Sequence, residues 1–445
     1  MYNGIKKVSK DNSVKINKFS KVLAYIFATS IILESNSIYS QISGYYRYIR
    51  LFLIILAAIS ALLLTINSNG RLKINKTTLL YIGYVLLSSI LLLINTDNKT
   101  GQMIIISIFI FMVPIFAFLL KNINGTLFGY ILNCFVNVTV ILCTISLFIW
   151  FLSSVIGVLR PNITIQTLWG NINNFKGYYY IHFDTQDVWW ITGKPLIRNT
   201  GIFTEGPMYA VIIVIAQVFH DLISKEESRK HLLKTVILST TMITTMSATG
   251  IICTVIILFL ANRDKILGLL GKKNKFILGA LAAILIIAAL PILSSLAGSK
   301  SETGSAIHRS TDISNGIKVF ANSPLIGKGV NHERPNESKS NDGYGYSNAI
   351  IPILTDGGVV LLAIYIFPVI ILLSNKKHKE NKDVYVAIIY LLILFTTQIT
   401  YRLSLILLLE IIQVLPAQRI EYYKNLKRSN SIDKKEIIKC RKSEY

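Results

Sequence analysis

Long apolar runs separated by short polar breaks dominate the chain. A helix needs about 20 apolar residues to cross roughly 30 Å of hydrocarbon, because lipid offers no partner to an unpaired backbone amide. Runs of that kind lie at about 22–40, 49–66, 78–95, 103–120 and 127–158, then at 207–223. The run 232–262 is too long for one crossing and is interrupted by Ser247-Ala248-Thr249-Gly250, which predicts two spans with a tight turn or a broken helix pair. Further runs follow at 276–296, 349–373, 384–400 and 403–418. The pattern predicts an all-α polytopic membrane protein of about twelve transmembrane helices. A segment 1–21 leads in, residues 22–418 form the membrane domain, and a basic tail covers 419–445.

Composition agrees: 52% of the 445 residues are hydrophobic and 16% charged, with a mean hydropathy of +0.53. The net charge of +23 would suit a nucleic-acid partner if it were clustered on a soluble face. Instead, most of the 46 Lys and Arg fall on segments that are inside when the N-terminus is inside. That is the positive-inside bias of a membrane protein, so no nucleic-acid partner is expected and both termini are placed in the cytoplasm. The four cysteines form no CxxC pair, which leaves neither a disulfide framework nor a metal site. Glu34 is expected at the outer end of the first span and Glu410 well within the last. A buried carboxylate such as Glu410 keeps a transporter alternative open.

Two loops on the extracytoplasmic side, about 159–206 and 297–348, are far longer than the rest. Loops of this length in a compact protein are usually functional. The first ends in RNTGIFTEGPMYA (198–210), running straight into a span, with Pro207 suited to the first helical turn. Its aromatic residues, among them Tyr179 and Trp189, suit either sugar stacking or the interfacial belt. The second contains HRSTDISNGIKVFANSPLIGKGV (308–330), and SNAIIPILTDGG (347–358) follows it. Ile313, Ile317 and Phe320 predict a short amphipathic helix over 309–321, with Arg309 at its start.

These segments, in this order and with SATG at 247–250, resemble the O-antigen polymerase and ligase superfamily, the Wzy-type polysaccharide polymerases and their lipopolysaccharide ligase relatives. The resemblance implies a membrane glycosyltransferase of the bacterial cytoplasmic membrane. Its substrates would be undecaprenyl-pyrophosphate-linked glycans, with no cofactor and no metal, and a chain-length regulator is a conceivable partner. Ligases of the family carry His-Asn, nine residues and a glycine; here Ser347-Asn348 precedes Gly358 at that spacing, which favours a polymerase. His332 lies fifteen residues upstream and is able to occupy similar space.

The chemistry needs cations where a lipid pyrophosphate departs. Arginine suits it, since its planar fork grips phosphate oxygens and never deprotonates. Arg198 and Arg309 are the leading catalytic candidates, with Arg160 and Lys328 as further phosphate contacts. Candidate bases for the acceptor hydroxyl are Glu205, His332, Asp342 and Asp356. Asn348, Tyr179 and Trp189 are candidate substrate contacts. A flippase or other transporter would instead show pseudo-repeats and midplane binding groups, and no such halves align.

Overall fold

A computed structural model describes residues 16–68, 76–122, 126–167, 173–190, 194–223, 229–262, 304–330, 332, 348–374, 381–397 and 403–414. The predicted span 276–296, the tail 419–445 and Asp342 lie outside these residues.

The apolar runs become helices α1 (Lys18–Glu34), α2 (Tyr46–Ile66), α3 (Lys76–Ile94), α4 (Lys99–Asn122) and α5 (Thr126–Trp150). Next come α6 (Gly206–Ile223), α7 (Arg229–Thr244), α8 (Ala248–Ala261), α9 (Gly304–Asn322), α10 (Ile350–Ser374), α11 (Asn381–Thr396) and α12 (Ser404–Val414). Five stretches are long and apolar enough to cross a membrane: Tyr46–Ile66, Lys99–Lys121, Leu127–Val155, Gly206–Ile223 and Ile350–Ser374. The protein is therefore a mostly helical, integral membrane protein. The other apolar helices among the described residues are shorter.

α6 is the axis of the bundle. Its most apolar window is 83% buried, against 33–50% for the other four, as expected of a helix that is apolar all round. The run 232–262 breaks at Thr245–Ser247, where the Ser247 hydroxyl accepts the Gly250 N–H and starts α8. α5 continues through a π-helical turn, Phe151–Val155, which accounts for the great length of the fifth apolar run.

Polar residues within the bundle are tied to one another. Glu34, the last residue of α1, is buried; it pairs with Arg50 at 2.8 Å and accepts the Ser404 N–H at 2.9 Å, joining α1, α2 and the start of α12. Glu410 on α12 accepts the Tyr81 hydroxyl of α3. Each carboxylate thus serves helix-to-helix attachment.

The first long loop is not all-α. It folds into a three-stranded antiparallel sheet, β1 (Ile163–Thr167), β2 (Asn173–Tyr178) and β3 (His182–Asp184), followed by a ribbon of β4 (Asp187–Trp190) and β5 (Lys194–Ile197). Phe175 and Phe183 pack with Ile38 beneath the sheet. The β2–β3 turn closes with the Ile181 N–H on the Tyr178 carbonyl at 3.0 Å. Its two central residues, Tyr179 and Tyr180, both have positive φ (50° and 61°), which costs about 1–2 kcal/mol for each non-glycine residue.

α9 begins at Gly304, five residues before Arg309, so that residue lies inside the helix rather than at its start. Gly316 and Val319 are buried whereas Ile313 and Ile317 are exposed.

Candidate functional site

Two docked segments form the sheet-bearing end of the bundle. The first is the stretch 198–206 that leads into α6. Asn199 fastens it: its N–H donates to the Thr244 carbonyl at 3.0 Å, and its side-chain amide donates to the Thr244 hydroxyl at 3.0 Å and to Ser146 Oγ at 3.4 Å. Ser146 in turn meets the Tyr209 hydroxyl at 2.8 Å, and Tyr209 stacks on Phe203. On the opposite side, Ile38 N–H donates to the Ile202 carbonyl and Thr204 N–H to the Asn36 carbonyl. The segment is therefore held between the ends of α1, α5 and α7.

Arg198 sits at the head of this segment, 7% exposed. A guanidinium so far from water needs polar partners. Gln186 supplies one: its Oε1 accepts Arg198 Nη1 at 3.3 Å and the Gly206 N–H at 3.2 Å, while its carbonyl accepts the Arg198 N–H at 3.0 Å. One side chain thus joins Arg198 to the first residue of α6. Glu205 is half-buried, and its carbonyl receives the Tyr209 N–H in the first turn of that helix.

The second docked segment is the turn 324–330 after α9, and its attachment is of another kind. α10 is broken at Gly358 (φ 59°, ψ −153°). The break takes the N–H groups of Val359 and Val360 out of the helix and leaves the carbonyls of Thr355 and Asp356 to be satisfied. The turn answers all four. Val359 and Val360 donate to the Pro324 and Leu325 carbonyls at 2.9 and 3.1 Å, and Lys328 and Gly329 donate to the Thr355 and Asp356 carbonyls at 2.8 and 3.0 Å. Backbone meets backbone so closely that a Cβ on Gly327 or Gly358 would lie 2.5 Å from main-chain atoms of the other segment. Asn95 holds the Ile326 and Gly327 carbonyls, and Asn98 the Val330 carbonyl, from the α3–α4 link.

His332 emerges from this turn beside the break. Its Nδ1 is 3.3 Å from Asp356 Oδ1 and 3.1 Å from the Gly329 carbonyl. Both neighbours are acceptors, so Nδ1 is the nitrogen that donates here. Nε2 is buried and has no hydrogen-bond partner among the described residues. A carboxylate that orients one ring nitrogen and leaves the other without a partner is an arrangement that general bases use.

The remaining candidates are dispersed. Arg160 is exposed between the π turn of α5 and β1, and Lys328 is exposed on the docked turn. Asn348 caps α10, its Oδ1 accepting the Ile351 N–H at 3.0 Å. Tyr179 is exposed at the β2–β3 turn. Trp189 lies on β4 and Arg309 on α9, but both side chains are outside the described residues. Gln186, Asn95, Asn98 and Asn199 were not singled out by the sequence.

Beside the first segment, β3 places His182 fully buried, with Nε2 3.8 Å from Asp184 Oδ1. Burial pushes its imidazole down to about 4. Asp184 is engaged by the Tyr178 hydroxyl at 2.7 Å, and burial, then that carboxylate, raises the Tyr178 phenol.

Residues 233–366 match the family model described as O-antigen ligase. This match supports the O-antigen polymerase and ligase superfamily. It covers less than half of the chain, running from α7 through α9 and the docked turn to the broken part of α10. Glycan processing of the O-antigen ligase or polymerase type is the activity class that this family carries. His332 and Asp356 fall inside the matched segment, and Arg198 and Glu205 outside it. No curated protein and no solved structure matches the chain.

Proposed function

We propose that the protein is a polysaccharide polymerase that joins undecaprenyl-pyrophosphate-linked repeat units at the outer face of the bacterial cytoplasmic membrane. The reading rests on one observation above the others. The family-matched segment contains an imidazole whose Nδ1 is fixed by a buried carboxylate at 3.3 Å.

In this reading an acceptor hydroxyl loses its proton to His332 Nε2 as its oxygen attacks the anomeric carbon of the donor. The bond from that carbon to the carrier's phosphate oxygen breaks, and the pyrophosphate stays on the lipid. A base within hydrogen-bond reach contributes about 10²–10⁴-fold. Fixed cations stabilise the departing charge because they need not reorganise. Arg198 and Arg309 take that role, with Arg160 and Lys328 as outlying contacts. Asp356 is a positioning residue, and Glu205 is the alternative base. Both termini lie in the cytoplasm, and a chain-length regulator would act at the sheet-bearing end. Activity is expected to survive chelation of divalent ions.

The description of the matched family favours a second reading, transfer of a finished glycan to another acceptor. Ser347 in place of the ligase histidine argues the other way. Gene deletion followed by gel analysis of lipid-linked and surface glycans separates the two. Accumulated single repeat units are expected; full-length lipid-bound chains would replace the polymerase with a ligase, and material trapped in the inner leaflet would replace both with a flippase.

A further inference from the structure

The β2–β3 turn carries three exposed side chains in succession: Tyr179 at 61%, Tyr180 at 57% and Ile181 at 42%. Asn-Gly or a similar pair is the default where both central residues of a hairpin turn have positive φ. Two tyrosines occupy those positions here, so the rings themselves explain the choice. The turn is also held from outside. Asn162 Oδ1 accepts the Tyr179 N–H at 2.9 Å, and the Tyr39 hydroxyl donates to the Tyr180 carbonyl. The side chains are thus presented on a fixed support.

Tyr39 belongs to the link between α1 and α2, and α2 starts a few residues later, with Tyr45 just before it 65% exposed and Tyr48 in its first turn 75% exposed. α2 is one of the helices long and apolar enough to span the bilayer, and Leu51, Phe52 and Ile55 continue its exposed apolar surface. Tyrosines at the end of such a helix sit at the headgroup level, with their rings among acyl carbons and their hydroxyls in the polar layer. Through Tyr39 the turn is fixed to the α1–α2 link that leads into this belt, and it has the same chemistry.

We propose that Tyr179, Tyr180 and Ile181 form a membrane-interface anchor whose occupant is the headgroup–acyl boundary of the lipid. It continues the aromatic belt of α2 onto the sheet and holds the loop that carries Gln186 and Arg198 against the bilayer. The anchor is independent of the glycan-transfer reading.

The test uses the full chain in phosphatidylcholine vesicles. Cys440→Ser leaves the buried Cys134, Cys143 and Cys253, and Ile181→Cys is labelled with an environment-sensitive fluorophore. A phosphatidylcholine with its nitroxide near the headgroup is expected to quench this label about twofold more than one with its nitroxide at the chain end. Aqueous iodide is expected to quench it about twofold less than the same label at Thr164→Cys, an exposed position on β1. Tyr179→Asn with Tyr180→Gly keeps the turn and is expected to abolish the lipid quenching. Equal iodide quenching at both positions without lipid quenching overturns the anchor. So does protection that develops only on adding a soluble oligosaccharide, which would assign the turn to glycan.

Discussion

The first docked segment is held by bonds spread over several elements: the Asn199 and Gln186 amides reach α7, α5 and the start of α6, and main-chain bonds join it to Asn36, Ile38 and Thr244. The second segment concentrates four main-chain hydrogen bonds on one broken helix, with glycines at the points of contact. The difference sets what each can tolerate. A dispersed attachment fails by degrees, since one amide can be lost while the main-chain bonds persist. A concentrated backbone attachment has no spare geometry, and in lipid each unanswered main-chain group is costly. The candidate arginine is on the forgiving segment, and the candidate base is on the rigid one.

The rigid segment should break first and hardest. Gly358→Ala forces a side chain into positive φ and toward the Leu325 main chain at 2.5 Å, a combined cost on the order of 3 kcal/mol or more. The expected outcome is a sharp fall in the melting temperature of the purified protein in detergent, with surface glycan lost. A native melting temperature in Gly358→Ala would mean that the turn and the broken helix are not locked together.

The next effect separates chemistry from support. His332→Ala and Arg198→Ala should each lower polymer formation by about 10²–10³-fold with the melting temperature nearly unchanged. Arg198→Lys should rescue poorly because the planar fork is lost. Asp356→Asn keeps the shape beside His332 but removes its charge, so it should cost less than His332→Ala and alter the pH–rate profile. Normal polymer in both alanine variants would remove the two residues from the mechanism.

The contrast also explains how far the sequence could be read. Five long spans were legible because lipid demands apolar runs, and the interruption at 247–250 announced itself by its small polar residues. The sheet was not, since strands as short as Ile163–Thr167 and His182–Asp184 leave only a few alternations. The apolar spacing of Ile313, Ile317 and Phe320 announced the helix α9 but not that Gly316 and Val319 are among its buried residues. The partnership of 324–329 with 355–360 is carried by main-chain atoms, which leave no side-chain pattern beyond the glycines. Asp356 and His332 were separate candidate bases in the sequence, and only the fold brings Asp356 Oδ1 within 3.3 Å of His332 Nδ1. Gln186 is one polar residue among many until the fold brings it under Arg198.

A proton tests the first region from the sheet side. His182 ionises near 4 in the fold and near 6.5 otherwise. Above pH 6.5 the ring is neutral in both states, and its burial has no proton cost. Below that the unfolded ring takes up a proton that the folded one refuses, so stability falls by up to about 1.4 kcal/mol per pH unit. The loss levels off near pH 4, where the folded ring also protonates. Protection factors of the β2 and β3 amides, taken relative to the intrinsic exchange rate at each pH, should therefore fall between pH 6.5 and 4, while those of the docked turn 324–330 respond less. His182→Phe should flatten the response, and an unchanged response in that variant would place its origin elsewhere.

The mildest change is Asn199→Ala. It deletes the side-chain bonds to Thr244 and Ser146 and the acceptor of the Gly201 N–H, but leaves the main-chain bond from residue 199 to the Thr244 carbonyl. Losing a buried amide that satisfies two hydroxyls costs about 1–2 kcal/mol. Ser146 retains Tyr209, and Thr244 retains the Thr241 carbonyl, so the damage stays local. The expected result is a small drop in melting temperature with glycan polymer still made, in contrast to Gly358→Ala. If Asn199→Ala instead matches the glycine variant, the amides are as indispensable as the backbone pairing, and the two segments differ in chemistry but not in tolerance.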